Sequence, residues 1–170
     1  LVKTEGVSLQ QMKSICELAT LECYYHNTAK LDTTQKVWWW NTTKKLWIEY
    51  TGIVKVGIDF SKVDMSVDNN TVTITMPQAE VLSSTVDPQS LTPDSIMIEK
   101  EGLGVGKVKA DIQTKAMGYA QENMKNSASK DNALLAQARQ RAKDLMENYI
   151  NNIGEIIGKK YTIVWKDSEE

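Results

Sequence analysis

Apolar residues at Leu9, Met12, Ile15 and Cys16 recur at helical spacing behind Ser8, with Gln11 three residues after that serine. The pattern predicts a short helix over 8–17 opened by a capping box. From Leu18 the period drops to two: Ala19, Leu21, Cys23 and Tyr25 alternate with Thr20, Glu22, Tyr24 and His26, as in a strand with one buried and one wetter face. A loop is expected near 28–35. Beyond it, 37–40 and 46–50 flank the polar "NTTKK" and read as a hairpin. Gly52 interrupts the pattern, after which Val54, Val56, Ile58 and Phe60 alternate with polar or small residues. In "TVTITMP" the alternation puts Val72, Ile74 and Met76 inward and three threonines outward, behind the turn-forming "VDNN". Pro77 cannot donate to a ladder, so this strand is expected to end there or to lie at an edge. "VDPQSLTPD" reads as a connection, and Ile96 and Ile98 give a weaker alternation ahead of the glycine-rich "EGLGVGK".

Beyond Lys107 the period becomes helical. Val108, Ile112, Ala116, Tyr119 and Ala120 form one stripe; after "KNSASKDN" a second runs through Leu134, Leu135, Ala138, Ala142, Leu145, Met146, Tyr149, Ile150 and Ile153, with Gly154 as its expected stop. A last strand is expected over 161–165. Strands followed by helices predict an α+β fold: an antiparallel sheet covered by two C-terminal helices, with a short N-terminal helix and a closing C-terminal strand. The expected organisation is a single domain over 1–170, mostly strands in 1–106, helices in 107–154 and the final strand in 161–165. A chain of 170 residues can bury a core of its own without disulfide staples.

Charge narrows the partners. Twenty basic residues face 22 acidic ones, a balance too mild to steer the chain to nucleic acid or anionic lipid. No apolar run reaches the roughly 20 residues that span a bilayer. Two cysteines, Cys16 and Cys23, do not make a disulfide framework at this size.

Five blocks carry a resemblance: "ELATLECYYHNTAK" (17–30), "VKVGIDFSKV" (54–63), "VTITMPQAEVLSSTVD" (72–87), "ARQRAKDLMENYINNIG" (138–154) and "YTIVW" (161–165). In order and spacing they resemble the bacterial family catalogued as domain of unknown function 4230, over nearly the whole chain. The Gly-Ile-Asp block with Met-Pro-Gln-Ala-Glu after it is the most specific part. Phe60 stands where leucine is expected, and the tryptophan triplet lies outside the family pattern. The resemblance implies a layout in which one N-terminal membrane anchor precedes this domain, with the domain outside the cytoplasm. It implies no catalytic residue and no cofactor.

Four of the five tryptophans fall within 38–47. On a strand, Trp38 and Trp40 share one face while Trp39 points to the other, and Trp47 faces opposite to Leu46 and Ile48. Large rings mostly serve as apolar payload, so two or three of them are expected to cover the sheet beneath the C-terminal helices. The functional reading makes Trp38, Trp40 and Trp47 candidate ligand- or partner-binding residues on an exposed patch. Carbohydrate stacking and a membrane-interface belt are the remaining readings.

The sharper chemistries lack their parts. In "GLGVGK" (102–107), Glu101 occupies the first glycine position of a phosphate loop and Val108 follows the lysine where serine or threonine belongs, while Lys107 replaces the third glycine of a dinucleotide fingerprint. Cys16, Cys23 and His26 supply three soft ligands where a structural zinc site uses four. The lone histidine leaves Ser83, Ser84 or Cys16 without a recognisable nucleophile turn. Asp59, Asp64, Glu80 and Asp87 are glycosidase candidates by type, with turn capping or plain exposure as the simpler reading. Gln137, Arg139, Gln140, Arg141, Lys143 and Asp144 read as a solvated helix face, and Ala138 and Ala142, four apart, would let helices approach closely. The reading that results is a non-enzymatic interaction or scaffolding domain of a membrane-anchored bacterial protein, acting on a protein partner or on itself, with no catalytic residue, metal or cofactor. The competing reading is a carbohydrate or cell-wall binding module, or a carboxylate glycosidase.

Overall fold

A computed structural model describes the backbone of residues 6–37, 40–100 and 110–168, and the side chains of residues 6–31, 45–97 and 114–168. The described elements are α1 (Leu9–Ala19), β1 (Leu21–Val37), β2 (Trp40–Gly57), β3 (Asp64–Asp68), β4 (Thr71–Met76), β5 (Glu80–Val86), β6 (Ile96–Lys100), α2 (Ala110–Ser129), α3 (Asn132–Ile157) and β7 (Thr162–Asp167). In a four-stranded sheet β2 lies between β1 and β5 and also pairs with β6; a three-stranded sheet has the order β3-β4-β7. The fold is α+β, with the short first helix, two C-terminal helices and closing strand that the periodicities predict. The chain divides into two compact units, one of residues 1–22, 55–82 and 131–170, the other of 23–54 and 83–130.

The first unit is built on β4. Its alternation is realised in full: Val72, Ile74 and Met76 are completely buried and the threonines between them are half-buried. A tight turn with Asn69 at φ 52° joins β3 to β4 as an antiparallel pair, asparagine being one of the few residues that tolerate this backbone region. The strand stops at Met76, one residue before Pro77. Closing strand β7 pairs with β4 in parallel, from Thr71 opposite Thr162 to Met76 opposite Asp167; parallel pairing needs a long crossover, and α3 immediately precedes β7.

Helix α3 buries a narrow stripe, Ala138, Ala142, Met146, Ile150 and Gly154, one residue every four. Helix α1 packs beside it through Met12, Cys16 and Ala19. The expected capping box does not form: Ser8 is the N-cap but makes no side-chain cap. Its N–H donates to the Tyr149 hydroxyl at 3.3 Å, and that hydroxyl in turn donates to Gln11. Gly154 is not the helix stop either. Helix α3 runs on to Ile157, and Gly158, at φ 70°, takes the left-handed C-cap. Gly154 is small for another reason: a Cβ there would collide with the Lys159 carbonyl oxygen and lie 3.2 Å from the Tyr161 ring. Arg139, expected on the solvated face, folds back instead, donating from Nε to the Pro77 carbonyl at 3.2 Å and pairing with Asp167.

The second unit repeats the principle. Leu46, Ile48, Tyr50, Gly52 and Val54 form the buried face of β2, and Ala116, Ala120, Met124 and Ala128 form the buried stripe of α2. Gly52 does not interrupt the strand. It makes room for the helix, since a Cβ there would lie 2.7 Å from both Met124 Sδ and the Thr85 carbonyl oxygen.

Several local expectations yield to pairing. The loop expected near 28–35 is part of β1, and the polar "NTTKK" lies inside β2; the local turn signal loses to the pairing of β1 with β2, because strand propensity is set largely by neighbours. Residues 38–39 lie outside the described residues. Strand β2 ends at Gly57, so Phe60 opens a 3-10 turn rather than extending a strand. The break expected in "KNSASKDN" is confined to Lys130 and Asp131, because Ala128 continues the buried stripe of α2 and the Asp131 carboxylate caps α3 by accepting the Leu134 N–H at 3.0 Å. Strands β3 and β5 form where the periodicities predict no element.

Two glycine substitutions should separate crowding from propensity. Gly154→Ala is expected to cost about 1–3 kcal/mol by overpacking against backbone. Gly118→Ala, on an exposed helix position with nothing within 4 Å, is expected to add about 0.5–1 kcal/mol from lost unfolded-chain freedom and better helix propensity. Urea titration of both variants measures the pair.

Candidate functional site

On β2 the side chains alternate, so the face opposite Leu46, Ile48 and Tyr50 carries Trp47 and Glu49. Helix α2 covers the first face, where the Tyr50 hydroxyl donates to Asn123 Oδ1 at 2.8 Å. Trp47 therefore lies on the face that α2 leaves open. It is half-buried, with the Lys30 ammonium 5.2 Å from its ring centroid, a cation–π distance. Met97 on β6 stands opposite Trp47 in the antiparallel register and is 58% exposed. On β1, Tyr24 shares the side of Lys30 by the two-residue period and is 82% exposed. His26 Nε2 and Glu49 Oε1 are 2.7 Å apart on the same face.

Among the described residues the ring beneath α2 is that of Tyr50, whose burial pushes its phenol above the ordinary value, while Trp47 faces the other side, opposite to Leu46 and Ile48, as the two-residue period predicts. Trp38 lies outside the described residues. Trp40 opens β2, and its side chain is likewise outside them. Of the three candidate residues, Trp47 alone can be placed, and the residues found beside it, Lys30 and Met97, carry no signal in the sequence. Only strand register brings them together.

Three of the four candidate carboxylates have structural employment. Asp59 caps the 3-10 turn Phe60–Lys62, accepting from the Ser61 N–H at 3.0 Å and the Ser61 hydroxyl at 2.6 Å. Those bonds, the hydroxyl's first, hold its acid below the usual aspartate value, with Lys62 adding to the effect. Glu80 is engaged by the Lys62 ammonium at 2.9 Å, which raises the lysine's basicity. Asp59, with its acid lowered in this way, is a poor proton donor near neutral pH. Asp64 is exposed on β3, and Asp87 caps a second 3-10 turn by accepting the Gln89 N–H at 2.9 Å. Cys16 is a buried thiol pushed up to about 11 by desolvation, with Glu17 contributing. Among the described residues no three His, Cys, Asp or Glu side chains cluster as a metal site. The glycine-rich 102–107 lies outside the described residues.

The site is thus an open aromatic and cationic sheet face on an α+β domain. A family model described as "Protein of unknown function (DUF4230)" matches residues 10–157, and the chain belongs to that family. No curated protein matches it. No helix among the described residues is long and apolar enough to cross a membrane.

Two titrations check these environments. With Cys23 replaced by serine, the Cys16 thiol in the native protein should resist iodoacetamide at neutral pH and react readily once unfolded, since the thiolate is the nucleophile. For Asp59, the folded value is depressed, so its contribution to stability is present above the ordinary aspartate value and is lost as pH falls through the lower folded one. The stability difference between wild type and Asp59→Asn, measured in urea, should therefore shrink as pH falls through that window.

Proposed function

We propose that this chain is a non-enzymatic interaction domain that engages a protein partner through the open face of the β1, β2 and β6 strands around Trp47. The observation that carries the reading is Trp47 with Lys30 over its indole and the exposed Met97 opposite it in the β2–β6 register, on the side of the sheet away from α2; the exposed Tyr24 lies on the same face farther along β1, about 20 Å from Lys30 at roughly 3.3 Å per residue. Tryptophan, tyrosine and methionine are enriched in protein interfaces, and an aromatic and thioether face left open to solvent favours burial against another surface. Three of the four candidate carboxylates, Asp59, Asp87 and Glu80, are engaged in caps or a lysine pair, which weighs against the enzymatic alternative. From the family resemblance we further propose that the domain stands outside the cytoplasm behind an N-terminal membrane anchor.

A photo-crosslinking residue placed at Met97 of the full-length protein in its native host tests the interaction. A defined protein adduct is expected that disappears on Trp47→Ala and is absent when the crosslinker sits at exposed Glu155 on α3. No adduct, or one indifferent to Trp47, would refute the reading. Fractionation of the same cells, with protease added from outside, tests the anchor: the protein should pellet with membranes and be digested.

A further inference from the structure

Helix α2 treats two edges of the four-stranded sheet differently. At β5 the side-chain amide of Gln121 accepts the Val86 N–H at 3.0 Å and donates to the Ser84 carbonyl. Residues i and i+2 of a strand present these groups on one edge, so the glutamine amide imitates the peptide of a neighbouring strand and closes that edge. The opposite edge, on β1, receives no such amide among the described residues. Thr28 donates its N–H to its own neighbour, Asn27 Oδ1, at 2.9 Å, which puts that N–H outside the pairing with β2. The two-residue alternation then turns the N–H and C=O of Lys30 toward the same outer edge. The Lys30 side chain does not cover them, because its ammonium reaches the other way, over Trp47. Nor does Asn123, whose Oδ1 already accepts from the Tyr50 hydroxyl at 2.8 Å and the Asn27 amide at 3.4 Å. Beside this stretch there is an open hollow of about 150 Å³, lined by Ala29, Lys30 and Leu31 of β1 and by Tyr119, Glu122, Asn123 and Asn126 of α2.

We propose that an extended segment of a protein partner adds to β1 as a new strand at residues 28–30, seated in this hollow against α2. The occupant follows from the chemistry offered. An N–H and a C=O projecting from one residue of a strand edge are complementary to a peptide backbone, and a sugar or lipid matches them poorly. The hollow has room for about five waters at roughly 30 Å³ each, the space of one medium side chain. Its helical wall, a carboxylate and two amides, suits a hydrogen-bond donor such as lysine, arginine, asparagine or serine at the segment residue facing α2. The inference deepens the interaction reading and rests on it for the occupant being a protein, but it uses a different surface, so each can fail alone.

The first test needs no variant. By amide hydrogen exchange in the purified 170-residue chain, Lys30 should exchange rapidly while Ala29 and Leu31, whose N–H groups point to β2, are protected. Protection of Lys30 would mean the edge is already covered and would overturn the proposal. The second test uses Lys30→Pro, which removes the outward N–H and leaves the ladder to β2 intact. Extended 12-residue peptides selected from a random displayed library on the wild-type chain should bind it roughly five- to tenfold or more weakly after Lys30→Pro. They should bind Lys30→Ala, which keeps the amide, and Trp47→Ala as well as wild type. Equal binding to Lys30→Pro would refute strand addition. Loss on Trp47→Ala with retention on Lys30→Pro would also refute it, assigning the peptides to the open sheet face and leaving the interaction reading standing. A dimer in sedimentation that dissociates on Lys30→Pro would give the edge to a second copy of the chain, overturning the partner.

Discussion

Close approach of a helix to its packing surface, through small residues placed every fourth position, is the constraint on which both units depend. Helix α2 buries Ala116, Ala120, Met124 and Ala128, and α3 buries Ala138, Ala142, Met146, Ile150 and Gly154. A stripe this narrow presents little apolar area per turn, so it works only if the backbone comes near enough for the few large side chains to reach across. Methionine suits that task, being unbranched and able to fill irregular gaps. The glycines record the closeness from the other side. Gly52 yields its Cβ volume to Met124, and Gly154 yields its own to the Lys159 carbonyl.

Close approach brings main-chain polar groups under side chains, and the same helices then satisfy them. Gln121 pairs with the β5 backbone, Asn123 receives the Tyr50 hydroxyl, and Arg139 reaches the carbonyls of Met76 and Pro77. Among the described residues no buried side-chain nitrogen or oxygen lacks a partner. The polar residues of α2 and α3 are thus divided between solvent and backbone capping, a division that helical spacing alone does not express. Arg139 is the clearest case: it belongs by period to the wet face, yet its long stem lets the guanidinium fold back to the Met76 and Pro77 carbonyls where β4 ends.

The functional surface shows the same split. That Trp47 faces away from Leu46 and Ile48 is legible from the two-residue period, and so is its kinship with an interface residue. Its neighbours are not legible. Lys30 is 17 positions away and Met97 is 50 positions away, and no local rule links them to an indole; strand pairing does. The carboxylates run the other way. Asp59 and Asp87, each two residues ahead of the group it caps, were readable as turn residues because an aspartate side chain reaches only its own backbone vicinity.

The sequence by itself determined the class of each long element, the buried alternation of β4, the stripe of α3, the α+β class and the family, because these rest on side-chain periods and on blocks that a single chain displays. Only the tertiary structure decided that 28–35 and 41–45 are strand, that β7 runs parallel to β4, that Gly154 lies within its helix, and that the β5 edge is closed by Gln121. Each of those outcomes turns on a hydrogen bond or a contact between residues distant along the chain. The energy of such a bond is absent from any local window and exceeds the small propensities found there.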